Sequence, residues 1–230
     1  MSTTKTLPDV ADKPRVVEEM FDRIAPRYDV LNRLITFRLD NRWRRETVHA
    51  LRLAQRSRVL DLACGTGDLC NALEADGHDV VGLDFSTGML RAAHTRAALV
   101  RGDAMHLPFA DASFDAITCG FGLRNFVAIA PVLKESARIL KPGGRVAMLE
   151  VAEPTNRLVR LGHGIWFRHI VPFVGGLLSD KAAYHYLPAS TAYLPEQAAM
   201  LAMLDDASLV DASTRTFGLG AISLVVGERA

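Results

Sequence analysis

Arg58 to Asp84 reads R-V-L-D-L-A-C-G-T-G-D-L-C-N-A-L-E-A-D-G-H-D-V-V-G-L-D. Val59 to Ala63 is a short apolar run of strand formers, Cys64-Gly65-Thr66-Gly67 has the composition of a tight turn, and Asp68 to Ala75 carries helical spacing. A second apolar run, Val80 to Leu83, ends on Asp84. The stretch therefore predicts strand, glycine turn, helix and strand, with an acid at the second strand's tip. Open α/β sheets bind ligands beyond the carboxyl ends of their strands, so this unit predicts the floor of a nucleotide or nucleoside site. Asp84 there can accept both hydroxyls of a ribose. The plainer alternative is a βαβ crossover whose glycines serve the turn alone.

Charge separates the ligand classes. A dinucleotide fingerprint asks for G-x-G-x-x-G/A, with the pyrophosphate on the helix N-terminus. Gly65, Thr66 and Gly67 fit its start, but Cys70 takes the last small position and Asp68 puts a negative charge where the pyrophosphate would lie. S-adenosylmethionine has no phosphate, carries a sulfonium cation, and ends in an ammonium group that Asp61 can pair with. Two carboxylates flanking the turn suit that ligand better than a nicotinamide dinucleotide.

At 230 residues the chain is long enough for one substantial domain and too short for two large ones. With 27 basic and 26 acidic residues its formal net charge is +1, so no global field points to nucleic acid. Met1 to Pro14 lacks the apolar core of a secretory signal, which predicts a cytosolic chain. The 3 cysteines, Cys64, Cys70 and Cys119, form neither a disulfide framework nor a metal-ligand pattern; no metal is expected, and the thiols read as reduced core residues. The most apolar segment, Leu158 to Leu178, is interrupted by Arg160, His163, Arg168, His169 and Pro172. It therefore falls short of the about 20 apolar residues a spanning helix needs.

Residues 1–13 are expected to be disordered, and 14–230 to form a single domain in four parts. Residues 14–54 carry amphipathic helical spacing, as in Met20, Phe21 and Ile24, broken at Pro26. Phe21, Tyr28 and Asn32 can cover a pocket or simply dock this arm. The core, 55–153, continues past Asp84 and Phe85 with a helix over Gly88 to Arg96, capped by Ser86 or Thr87, and a strand over Leu99 to Arg101. Gly102-Asp103-Ala104 follows, where Asp103 can accept from an adenine amino group beside a backbone amide, or act as a turn residue. A fourth strand, Asp115 to Cys119, leads into Gly120-Phe121-Gly122-Leu123-Arg124-Asn125-Phe126, a loop with room for close backbone approach and with donors in Arg124 and Asn125. The helix over Val127 to Leu140 stops at Lys141-Pro142-Gly143-Gly144, before a fifth strand over Arg145 to Leu149 with Glu150 and Glu153 at its end.

Residues 154–194 read as an apolar lid inserted over the sheet's mouth. Residues 195–230 add a helix starting at Pro195 and strands over Ser213 to Thr216 and Ile222 to Val226. The fold class expected is α/β, with a doubly wound, mostly parallel seven-stranded Rossmann-like sheet whose last strand is antiparallel.

Further motifs occur in order: F-D-R-I-A-P-R-Y-D-V-L-N (Phe21 to Asn32), G-L-D-F-S-T-G-M-L (Gly82 to Leu90), G-D-A-M-H-L-P-F (Gly102 to Phe109), F-G-L-R-N (Phe121 to Asn125), R-I-L-K-P-G-G-R (Arg138 to Arg145) and Y-H-Y-L (Tyr184 to Leu187). Together with L-A-C-G-T-G-D they resemble the ubiquinone/menaquinone biosynthesis C-methyltransferases, within the class I S-adenosylmethionine-dependent methyltransferases. The resemblance implies S-adenosylmethionine as cofactor, with contacts from Thr66, Asp84, Asp103 and Ala104; Asp61, Gly65, Gly67, Phe85 and the backbone of Gly120 are expected to complete the cofactor site. Gly120 stands where that family often has Ser. It implies methylation of a ring carbon of a prenylated quinol, with demethylmenaquinol favoured over the ubiquinone precursor 2-polyprenyl-6-methoxy-benzoquinol. Arg124 and Asn125 are expected to stabilise the phenolate or position a water. Tyr28 and Tyr184 are expected to orient hydroxyls, with His163, His169 or His185 as alternative bases. The apolar lid can take the prenyl tail and touch a membrane surface, or face a second copy in a homodimer. Two other readings stay open: a methyltransferase for another small apolar acceptor, and a nucleoside-binding protein without catalysis.

Overall fold

The opening unit forms as its residues dictate. In the computed structural model, which describes residues 7–230, β1 (Arg58–Leu62) and β2 (Asp79–Asp84) pair in parallel, with α4 (Asp68–Ala75) crossing between them. Gly67 supplies the αL conformation that starts α4, at φ +90°, and a Cβ there would lie 2.7 Å from the Thr95 side chain. β3 (Ala98–Arg101) pairs with β2, reached through α5 (Thr87–Ala92), whose N-terminus Ser86 caps by accepting from the Met89 amide. β4 (Phe114–Gly120) lies on the other side of β1 and is followed by α6 (Ile129–Ile139) and β5 (Leu140–Val151).

β6 (Leu209–Phe217) and β7 (Ile222–Arg229) complete a seven-stranded sheet of order β3-β2-β1-β4-β5-β7-β6, in which β7 runs antiparallel to both of its neighbours. The expected fold class is the one observed. Several boundaries differ. Lys141-Pro142-Gly143-Gly144 belongs to the entry of β5, where the pairing with β4 shifts register between Phe114 and Ala116, so the turn chemistry makes an irregularity in a strand. The last two strands are longer than their apolar runs because each completes the other's hydrogen bonds. The late helix, α10 (Gln197–Asp206), starts after Pro195, with Glu196 as its N-cap.

Strand alternation sorts the core onto two faces. Leu60, Leu62, Ile117 and Met148 pack with Leu133 of α6 and Leu204 of α10. Val59, Ala116 and Leu149 pack with Leu69 and Leu73 of α4 and with Trp43 and Leu51 of α3 (Leu39–Leu51). A third cluster joins the N-terminal arm to the 154–194 insertion. Met20 and Ile24 of α1 (Lys13–Ile24) and Leu31 of α2 (Tyr28–Ile35) meet Val171 of α8 (Val171–Leu178) and Tyr184 and Tyr186 of α9 (Lys181–Ala189). Arm and lid are thus one layer laid across the strands' carboxyl ends.

The expected disorder of 1–13 lies, for residues 1–6, outside the described residues. From residue 7 the chain is tied down: Tyr193 donates its hydroxyl to the Pro8 carbonyl at 3.1 Å, and Lys13 is buried, its ammonium on the Phe126 carbonyl at 2.5 Å and over the Tyr193 ring. Burial lowers the Lys13 pKa to about 8.

Candidate active site

A cavity of about 160 Å³ opens where β1 to β4 end. Ala63 and Gly65 line it from the turn, Asp84 and Phe85 from β2, Asp103 and Ala104 from the loop after β3, and Gly120, Phe121 and Asn125 from β4 and its loop. Glu18, Phe21 and Tyr28 of the arm roof it. The lining includes the carboxylates of Glu18, Asp84 and Asp103, and no lysine, arginine or histidine among the described residues. The Gly65 amide, which a pyrophosphate would claim, donates to Asp84 Oδ2 at 2.8 Å, while the Ser86 amide donates to Oδ1 at 2.8 Å. Burial pushes the Asp84 carboxyl upward against those amide bonds. The donor set of a phosphate site is therefore spent on a carboxylate, and the chemistry left over suits a cationic, phosphate-free nucleoside.

Two expected cofactor residues are placed behind this wall. Asp61 falls on the Val59 face of β1 by strand alternation, is 1% exposed, and accepts from the Thr118 hydroxyl at 2.8 Å and the Cys70 thiol at 3.4 Å. Burial pushes its carboxyl up to about 7. Thr66 is buried and donates its hydroxyl to Asp29 Oδ1 of α2 at 2.6 Å, so in this structure it serves the arm. Gly67 sets the turn and is not part of the lining. Asp103 lies at the rim, its Oδ1 accepting from the Met105 amide at 2.9 Å.

The arm brings residues that the sequence reading passed over. Asp22 Oδ1 accepts from the Ser86 hydroxyl at 2.6 Å and the Gly88 amide at 2.7 Å, and Glu18 accepts from Arg101 at 2.8 Å. Asp29 also faces His94 Nε2 at 3.3 Å. Asp22 and Asp29 belong to F-D-R-I-A-P-R-Y-D, and acids recurring in an arginine-rich arm were the available signal.

The loop after β4 divides this cavity from a larger one of about 1250 Å³. Leu123, Met148 and Glu150 line the large cavity on the core side. Leu158, Leu161 and His163 of α7 (Arg157–Ile165) and Phe167 of the following π-helical turn line it on the lid side. Arg124 is buried in the dividing loop: its Nη1 pairs with Glu150 and donates to the Phe121 carbonyl at 2.8 Å. Asn125 reaches the small cavity and accepts from the Tyr186 hydroxyl at 3.4 Å. Tyr28 is half-buried on the arm side; burial raises its phenol's pKa, opposed by a hydrogen bond with Asn32 and by the charges of Arg124 and Arg44. Of the histidines, His163 and His169 line the large cavity and His185 lines neither. Burial lowers the His163 pKa, and its ring stacks on Phe167 with centroids 5.4 Å apart.

The strand order, the reversed β7 and a carboxylate-lined cavity at the strand tips define the class I methyltransferase architecture. A structure from Thermotoga maritima, described as a S-adenosylmethionine-dependent methyltransferase and possible histamine N-methyltransferase, shares this fold with a TM-score of 0.66. It is 20% identical, over 93% of this chain and 99% of that one.

The model of the ubiE/COQ5 methyltransferase family matches residues 9–229, and the chain belongs to that family. It is 43% identical to the demethylmenaquinone methyltransferase of Roseiflexus sp. (strain RS-1), over 99% of this chain and 98% of the relative. It is 41% identical to the ubiquinone/menaquinone biosynthesis C-methyltransferase UbiE of Syntrophotalea carbinolica, over 91% of this chain and 92% of the relative. The chain is accordingly an S-adenosylmethionine-dependent methyltransferase.

Proposed function

We propose that the enzyme methylates a ring carbon of a prenylated quinol, converting demethylmenaquinol to menaquinol. The observation that carries this reading is the pair of cavities back to back across one loop, one lined by acids without a cation, the other large and roofed by an amphipathic helix that sets Leu158 and Leu161 beside Arg157 and Arg160. When bound, S-adenosylmethionine supplies an electrophilic methyl group on sulfur. Asp84 retains lone pairs for ribose hydroxyls, Phe85 offers a partly exposed ring face, and Asp103 with the Ala104 backbone suits the adenine edge.

A quinol carbon becomes nucleophilic when the neighbouring hydroxyl loses its proton. A phenol of pKa about 10 is ionised in roughly one molecule per thousand at neutral pH, a shortfall of about 4 kcal/mol. A positioned base contributes about 10²- to 10⁴-fold, which matches that deficit. Arg124 favours the phenolate by its charge and a water positioned by Asn125 takes the hydroxyl proton, while Tyr28 and Asn125, both on the wall of the small cavity, orient hydroxyls and the Tyr186 hydroxyl holds Asn125. Burial raises the pKa of both the Tyr184 and Tyr186 phenols, which keeps them neutral donors at pH 7.

The tail explains the lid. Leu158 is 80% and Phe173 73% exposed, beside Arg157, Arg160 and Arg168, and no helix among the described residues is long and apolar enough to cross a membrane. A bilayer surface on the cytoplasmic side would cover those side chains and deliver the tail, with the arginines on anionic head groups. The deciding test supplies purified enzyme and S-adenosylmethionine with demethylmenaquinol and, separately, with 2-polyprenyl-6-methoxy-benzoquinol. Mass spectrometry should find a ring-methylated product with the first; a product only with the second would reassign the substrate.

A further inference from the structure

At the tip of β5, Glu150 holds the place that Asp84 holds at the tip of β2: a buried carboxylate at a strand's carboxyl end. Its Oε1 accepts from the Val151 amide at 2.9 Å and pairs with Arg124 Nη1, while its Oε2 accepts from the Arg124 amide at 3.3 Å. One carboxylate thus grips one residue by both main chain and side chain. Arg124 passes the hold on by donating to the Phe121 carbonyl. Phe121 is left-handed at φ +60°, a conformation that a residue with a Cβ keeps only when its surroundings hold it there. Its amide donates to the Leu149 carbonyl at 2.7 Å, and its ring meets the edge of Trp43. The next residue, Gly122, approaches so closely that a Cβ there would lie 2.7 Å from that of Ala63.

The two faces of this turn differ in use. Phe121 and Asn125 line the small cavity, whereas Leu123 and Glu150 line the large one. Arg124 Nε is buried without a partner, a donor the chain leaves unspent. Both oxygens of Glu150 are already engaged, and loss of its charge would leave a guanidinium buried against no anion.

We propose that Glu150 is the positioning residue of methyl transfer: it fixes Arg124 and, through the Phe121 carbonyl, the left-handed turn that sets the distance between the two cavities. The turnover part of its test rests on the quinol reading above.

Glu150→Gln keeps the size and removes the charge. Turnover should fall about 10²-fold, with the Kd for S-adenosylmethionine changed by less than about three-fold. Amide exchange across residues 121–126 should accelerate at least about ten-fold, with β1 unchanged. Arg124→Met should cost about as much turnover. Adding Glu150→Gln to Arg124→Met should change turnover by less than about two-fold, because the carboxylate acts through the arginine. The double variant buries no unpaired charge, so it reports even if Glu150→Gln fails to fold, and its loop exchange should be fast as well. Losses that multiply in the double variant, or loop exchange equal to wild type in either variant, would overturn the proposal. If the wild-type enzyme methylates neither quinol, the substrate reading fails, and the exchange measurement still decides Glu150.

Discussion

The two cavities on either side of the 121–126 loop solve opposite recognition problems. The small one, about 160 Å³, is made of strand tips, with carboxylates whose oxygens are already aimed by backbone amides. Asp84 and Asp103 are fixed at strand ends by backbone amides, which suits a ligand recognised by directed hydrogen bonds. The large one, about 1250 Å³, has one wall of core and a roof of lid helix whose leucines are largely exposed. Leu158, Leu161 and Phe167 there offer area rather than direction, which suits a tail gaining about 0.8 kcal/mol per buried methylene, with Arg157, Arg160 and Arg168 on the same wall. The small cavity is below the about 300–1,000 Å³ usual for ligand sites, so the arm that roofs it must give when the cofactor enters. Its holds on the core, through Asp22, Asp29 and Glu18, are hydrogen bonds and ion pairs that can open singly.

The difference can be broken most sharply at Asp84. Asp84→Asn leaves the Gly65 and Ser86 amides facing a neutral amide, and it should weaken S-adenosylmethionine about 10²-fold in calorimetry. Binding of a prenyl quinol to the large cavity should hardly change; equal losses for both ligands would mean that the cavities are one site.

A smaller effect is expected on the lid. Leu158→Asp with Leu161→Asp should raise KM for a long-tailed quinol about ten-fold, leave a tail-less quinol near wild type, and abolish flotation with anionic liposomes. Loss of a dimer in place of loss of flotation would assign the face to a second copy of the chain.

The last effect falls on stability rather than on either ligand, at Asp61 behind the small cavity. Its carboxyl holds a proton up to about 7 when folded, against 3.8 as its ordinary value, so the folded state gains stability as pH falls from 7 toward 3.8 and loses that gain above 7. Asp61→Asn should therefore raise Tm more at pH 8.5 than at pH 5. The difference should reach at most about 3 kcal/mol, or about 6–12 °C. If the Tm gain is the same at both pH values, the Asp61 carboxyl is not held protonated by burial.

Asp84 and Asp61 also show where reading the chain succeeds. Asp84 was legible because a strand, a glycine turn and a strand tip are local features: a few residues decide the backbone, and the backbone decides where the acid points. The side of β1 that Asp61 occupies was equally legible, from the alternation of Val59, Leu60 and Leu62. The partners its carboxylate meets there, the Thr118 hydroxyl and the Cys70 thiol, were not legible, because Thr118 comes from another strand. Thr66 was not legible, because its partner Asp29 lies 37 residues away on another element.

The succession of strands and helices around Arg58 to Asp84, the turn at Gly65 and Gly67, and the acid-tipped β2 follow from the sequence alone, since periodicity and turn chemistry act over a few residues. How the acids are spent was decided only by tertiary structure. Asp22 lies 64 residues from Ser86, and Arg124 26 residues from Glu150; packing of the arm and of β5 brings them together. A carboxylate's role depends on which donors reach it, and no local pattern carries that information.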